Sequence, residues 1–176
     1  MINIQDGFSW QKPNSKILYS TKSKTKVLSL RDWQKKCFEF LLDKRHSIIN
    51  TPTGSGKSAA LACLVYSKIK GNKKKAIIII PETIVEGSFS KQKTIDLKEE
   101  QFTWKPTNNL CNANYATTVG ELDSFLQNDP FGSDFNDRVI IVCRQTFVLA
   151  YQQHNQKSYW KDLVLVVDEA HRVLQD

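Results

Sequence analysis

Thr51-Pro52-Thr53-Gly54-Ser55-Gly56-Lys57-Ser58 has the residue types and spacing to hold a chain of phosphates. Gly54 and Gly56 allow backbone conformations closed to other residues, so N–H groups can approach phosphate oxygens closely. Thr53 and Ser55 complete the loop. Lys57 can reach β- and γ-phosphates as a point charge, and the Ser58 hydroxyl is placed to hold Mg²⁺. A second cluster, Asp168-Glu169-Ala170-His171, lies near the other end of the chain. Asp168 follows an apolar run, where a carboxylate can hold the same kind of cation. Glu169 beside it can orient or deprotonate an attacking water.

Both clusters need elements to position them. His46–Asn50 reads as a strand entering the loop, and the run from Ala59 to about Lys70 reads as a helix leaving it, with Gly71 as its stop. Leu163–Val167 is continuously apolar, as expected of a strand buried on both faces of a parallel sheet. Ala76–Ile80 and Arg138–Cys143 read the same way. Leu30–Leu42 reads as an amphipathic helix with Trp33, Cys37, Phe40 and Leu41 on one face. A short strand over Asn114–Val119 and a helix over Gly120–Gln127 are expected, with a surface turn at Asn128–Asp134. Lys16–Ser20 suits a short edge strand. Residues 91–114 carry little pattern beyond a loop signal at Trp104–Asn109. Strands alternating with helices give an α/β fold: a mainly parallel central sheet flanked by helices, with the first strand feeding the phosphate loop.

Composition sets outer limits. The 176 residues suffice for one domain with a core, and the net charge is +7. The charge is uneven. Up to Lys75 the only acids are Asp6, Asp32, Glu39 and Asp43, against many lysines and arginines, and the remainder is net acidic. A basic half suits phosphate backbones, although most single lysines read as solvated surface. Cys37, Cys63, Cys111 and Cys143 show no Cys-x-x-Cys spacing, which suits reduced thiols. No basic-then-apolar leader opens the chain and no apolar run approaches membrane-spanning length, so a cytoplasmic protein without membrane contact is expected.

The loop begins with Thr51 where Gly is commoner. Thr-Pro-Thr-Gly-Ser-Gly-Lys-Ser resembles motif I of superfamily 2 helicases and translocases, and Asp-Glu-Ala-His resembles their motif II. Leu30-Arg31-Asp32-Trp33-Gln34 resembles the Leu-Arg-x-x-Gln segment ahead of motif I, which implies Gln34 as the reader of the adenine edge. The strand ending at Pro81 resembles the start of motif Ia. Arg144-Gln145-Thr146 resembles the segment before motif II, with Arg144 where Thr is usual. These matches imply nucleic-acid contacts at Pro81, Arg144, Gln145 and Thr146, and a coupling role for His171.

The resemblance covers Leu30 to the end. It implies a RecA-like helicase ATP-binding domain at residues 30–176 behind an N-terminal extension at 1–29. ATP and Mg²⁺ are the implied cofactors, with Lys57, Asp168 and Glu169 catalytic. Nucleic acid is the implied partner, DNA ahead of RNA. The family also has a second RecA-like domain bearing an arginine finger, which would belong to the full-length protein or to another chain. Residues 1–176 alone are therefore expected to hydrolyse ATP slowly or not at all. Three functions fit: the motor domain of a helicase or restriction-enzyme translocase, a truncated nucleotide-binding interaction module without turnover, and a P-loop enzyme unrelated to nucleic acid. The Asp-Glu-Ala-His box argues against the third.

Overall fold

The computed structural model describes residues 27–52, 54–72, 74–81, 87–97, 100–111, 115–128 and 134–170. The expected strand at Lys16–Ser20, most of the expected extension, Thr53 and His171 lie outside them. The chain divides into two compact units. Among the described residues, one takes those up to Ser67 together with those of Lys93–Trp104, and the other takes those of Lys68–Gln92 and from Lys105 onward.

The first unit is built on strand β1 (Val27–Ser29), helix α1 (Asp32–Leu41) and helix α2 (Lys57–Ile69), whose last residues pass into the second unit. Strands β3 (Lys93–Asp96) and β4 (Gln101–Trp104) complete it. The order β1-β3-β4 makes a small sheet, with β1 and β3 parallel and β3 and β4 antiparallel. Phe102 and Trp104 point inward on β4 while Gln101 and Thr103 are exposed, the two-residue alternation of a half-buried strand. Phe102 stacks on Tyr66 of α2 at 4.0 Å between ring centres. Helix α1 packs through Cys37 and Leu41 against Leu64, with Trp33, Ile49 and Leu61 around them.

The second unit contains strand β2 (Lys75–Ile80), a single-turn helix α3 (Gly87–Ser90), strand β5 (Asn108–Asn109) and helix α4 (Tyr115–Gln127). Strand β6 (Val139–Cys143), helix α5 (Arg144–His154) and strand β7 (Leu163–Val167) follow. Its four strands run in the order β5-β6-β2-β7, and every pair is parallel. Ile77, Ile79, Ile140 and Val142 face Leu122 and Leu126 of α4 and Ala150 of α5. The alternate residues Ala76, Ile78, Ile80 and Ile141 are just as deeply buried. Each fully buried aliphatic side chain contributes about 1.5–3 kcal/mol. The fold is thus α/β, with a parallel sheet flanked by helices, as in a RecA-like domain.

Two buried cations tie helix ends to this sheet. Lys75, at the start of β2, donates to the carbonyls of Phe125, Leu126 and Asn128 at the end of α4. Arg138, just before β6, donates through Nη1 to the carbonyls of Ile69 and Asn72 where α2 ends. Last-turn carbonyls have no partners within their own helix and carry the negative end of its dipole, so a cation there is doubly favoured.

Several sequence expectations fail. Leu163–Val167, read as buried on both faces, is the edge strand β7, where Val166 alone is buried and Leu165 is 50% exposed. Phe40, read on the apolar face of α1, is exposed, and Trp104, read in a loop, is a buried residue of β4. His46–Asn50 forms no strand, and Ile48 is 65% exposed. Tyr115–Val119, expected as most of a strand, is the first part of α4. Thr118 and Val119 pack inward there, Thr118 with its hydroxyl 3.5 Å from that of Thr146 on α5. That packing overrides the strand preference of β-branched residues.

Candidate nucleotide-binding site

In the first unit, Thr51–Gly56 leads directly into α2, and Lys57 is the first helical residue. Gly54 and Gly56 have φ of 78° and 94°, the left-handed region that glycine enters without strain. The first turn of α2 carries no acidic side chain. Its N–H groups and positive dipole end therefore suit an anion.

The loop is held by its own residues and by α1. The Ser55 hydroxyl donates to the Thr51 hydroxyl at 3.1 Å, and the Lys57 ammonium donates back to the Thr51 carbonyl at 3.3 Å. Thr51 thus supplies two acceptors that brace the loop, and its hydroxyl is the one that Gly in this place would lack. The Gly56 carbonyl accepts from Ala59 N at 3.1 Å and from Gln34 Nε2 at 2.8 Å. Gln34 Oε1 accepts from the Arg31 backbone N–H at 2.8 Å, and Gln34 is only 4% exposed. Arg31 Nη1 donates to the Ser55 carbonyl at 2.9 Å. Arg31 was not a sequence candidate, since nothing local signals a partner 24 residues away.

The second unit places Pro81, Arg144 and Asp168 at the carboxyl end of its sheet. In its register Ile80 lies beside Cys143, and Ile79 lies beside both Val142 and Val167. Pro81, Arg144 and Asp168 therefore leave the carboxyl ends of neighbouring parallel strands, where α/β sheets place their ligands. Asp168 is 7% exposed, and its N–H extends the ladder to the Ile79 carbonyl at 2.9 Å. Glu169 has φ of 48°, uncommon for a residue with a Cβ and a mark of strain at functional turns. Pro81 and Arg144 are half-buried and Gln145 is exposed, but Thr146 is 3% exposed beside Thr118. Among the described residues, no three His, Cys, Asp or Glu side chains converge as a metal cage. Among the described residues no helix is long and apolar enough to cross a membrane.

A glycine-bearing loop opening a helix in the first unit, and a strained acidic turn after an edge strand of the parallel sheet in the second, are each features of a P-loop nucleoside-triphosphatase domain of the RecA-like class. Residues 27–176 match the family model described as type III restriction enzyme, res subunit, and the chain belongs to that family of superfamily 2 helicase N-terminal domains. Searches of curated proteins and of solved structures returned no match. The family is one of helicase-like ATPase motor domains, and use of nucleotide and metal and contact with nucleic acid belong to it in general.

Proposed function

We propose that this chain is the ATP-binding motor domain of a nucleic-acid-dependent ATPase, a helicase or DNA translocase of the restriction-enzyme kind. The observation that carries this reading is the loop itself: two left-handed glycines deliver Lys57 and Ser58 onto the first turn of α2. Gly54, Ser55 and Gly56 line the phosphates, together with Thr53. Lys57 neutralises the β- and γ-phosphates. Ser58 and Asp168 have the role of Mg²⁺ ligands, and Glu169 that of the residue orienting water. Pro81, Arg144 and Gln145 are the proposed contacts to a nucleic-acid backbone, DNA ahead of RNA. Thr146 supports them from the α4–α5 interface, and His171 couples nucleotide state to a partner domain.

Calorimetric titration of the chain with ATP and Mg²⁺ tests the reading. Wild type binds, and Lys57→Ala loses binding while its melting curve is unchanged. A Lys57→Ala variant with wild-type affinity would sink the phosphate-loop assignment.

A further inference from the structure

Arg31, the N-cap residue of α1, and Gln34 in its first turn grip successive carbonyls of the phosphate loop. Arg31 Nη1 holds the Ser55 carbonyl at 2.9 Å and Gln34 Nε2 holds the Gly56 carbonyl at 2.8 Å. We propose that Arg31 is a positioning residue that presents loop N–H groups to phosphate, with Gln34 as its second arm. This rests on the phosphate-loop reading above.

The argument is one of peptide geometry. The Ser55 carbonyl and the Gly56 N–H belong to one peptide plane, and the Gly56 carbonyl and the Lys57 N–H to the next. In a planar trans peptide the carbonyl and the N–H point in opposite directions. Fastening both carbonyls to α1 therefore turns the Gly56 and Lys57 N–H groups to the side away from α1. Glycine offers little resistance to peptide rotation, so an external restraint is needed at Gly56. The restraint is well founded, because Gln34 Oε1 is itself fixed by the Arg31 N–H and α1 packs on α2 through Cys37, Leu41 and Leu64. A guanidinium donor strengthens the bond to a neutral carbonyl.

This role differs from base recognition, and a ligand without a base separates the two. The full chain is titrated with Mg²⁺–ATP and with Mg²⁺–tripolyphosphate. Arg31→Met, which keeps the stem and removes the donor, lowers affinity for both by about tenfold, and Arg31→Lys restores most of it. The melting temperature stays near wild type, because the side chain is exposed. Should Arg31→Met fail to fold, Arg31→Gln retains an N–H donor and gives the intermediate loss. An Arg31→Met variant that loses ATP affinity but keeps tripolyphosphate affinity overturns the proposal, because the guanidinium then acts on the base. Unchanged affinity for both ligands overturns it as well. A folded wild type that binds neither ligand removes the phosphate-loop reading and this inference with it, a result distinct from the other two.

Discussion

Gln34 Nε2 lies so close to Gly56 that a Cβ added there would sit 2.6 Å from it. The loop glycine is thus fixed twice, by a φ of 94° and by the amide packed against it. Gly56→Ala should cost about 1–3 kcal/mol of stability. It should also lower ATP affinity at least tenfold, read by calorimetry beside a thermal melt. Wild-type values in both measurements would show that neither constraint operates.

Lys75 offers a test away from the site. Lys75→Met keeps the apolar stem but leaves three carbonyls at the end of α4 without their cation. A loss of about 2–4 kcal/mol is expected by chemical denaturation. A loss under about 0.5 kcal/mol, the usual surface effect, would mean that water replaces the ammonium freely.

Glu169 should show opposite effects on stability and function. Glycine adopts φ of 48° without the strain that Glu169 carries. Glu169→Gly should therefore stabilise the fold by about 0.5–1 kcal/mol. In a preparation competent for ATP hydrolysis, the same change should abolish turnover. A destabilised variant would place the strain elsewhere.

Thiol chemistry should separate the cysteines. Burial pushes the Cys63 thiol up to about 12 and moves Cys37 in the same direction. At pH 8 both stay protonated in the folded chain and resist alkylation, whereas half-buried Cys143 reacts first. For Cys63 the folded value lies above the unfolded one of 9.0. Its contribution to stability is therefore complete below pH 9 and declines as pH rises toward 12. Peptide mapping after a short pulse of iodoacetamide checks the order of labelling.

Nucleic-acid binding should be weak, indifferent to sequence and salt-dependent. Arg144→Ala should weaken it equally for unrelated sequences and flatten the plot of log affinity against log salt by about one unit. An unchanged slope would remove Arg144 from the contact surface.

The strands that carry chemistry were legible because they are continuous apolar runs. Ile77–Ile80, Val139–Val142 and Leu163–Val167 each fall in the second unit's sheet, and all three lead to candidate residues. His46–Asn50 misled because two isoleucines make an apolar run, yet a strand also needs a ladder partner, and none is found among the described residues. The first unit's sheet was missed because its strands span only three or four residues. The alternation at Gln101–Trp104 was its one available signal. Arg31, Lys75 and Arg138 could not be read at all as structural donors. Their carbonyl partners lie 24 to 69 residues away, and a carbonyl leaves no mark in a sequence.

The lysine beneath α4 also bears on how β2 finds its place. Ile77-Ile78-Ile79-Ile80 presents the same side chain at every step, so sliding the strand by two residues would return isoleucine to half of the same positions, one on each face. Apolar packing alone distinguishes such alternatives poorly. A charged head group that must meet three carbonyls cannot tolerate the slide, because it would be left buried and unpaired. Lys75 thus serves as an index mark for an otherwise repetitive strand, and through β2 it aligns the neighbours β6 and β7 that carry Arg144 and Asp168.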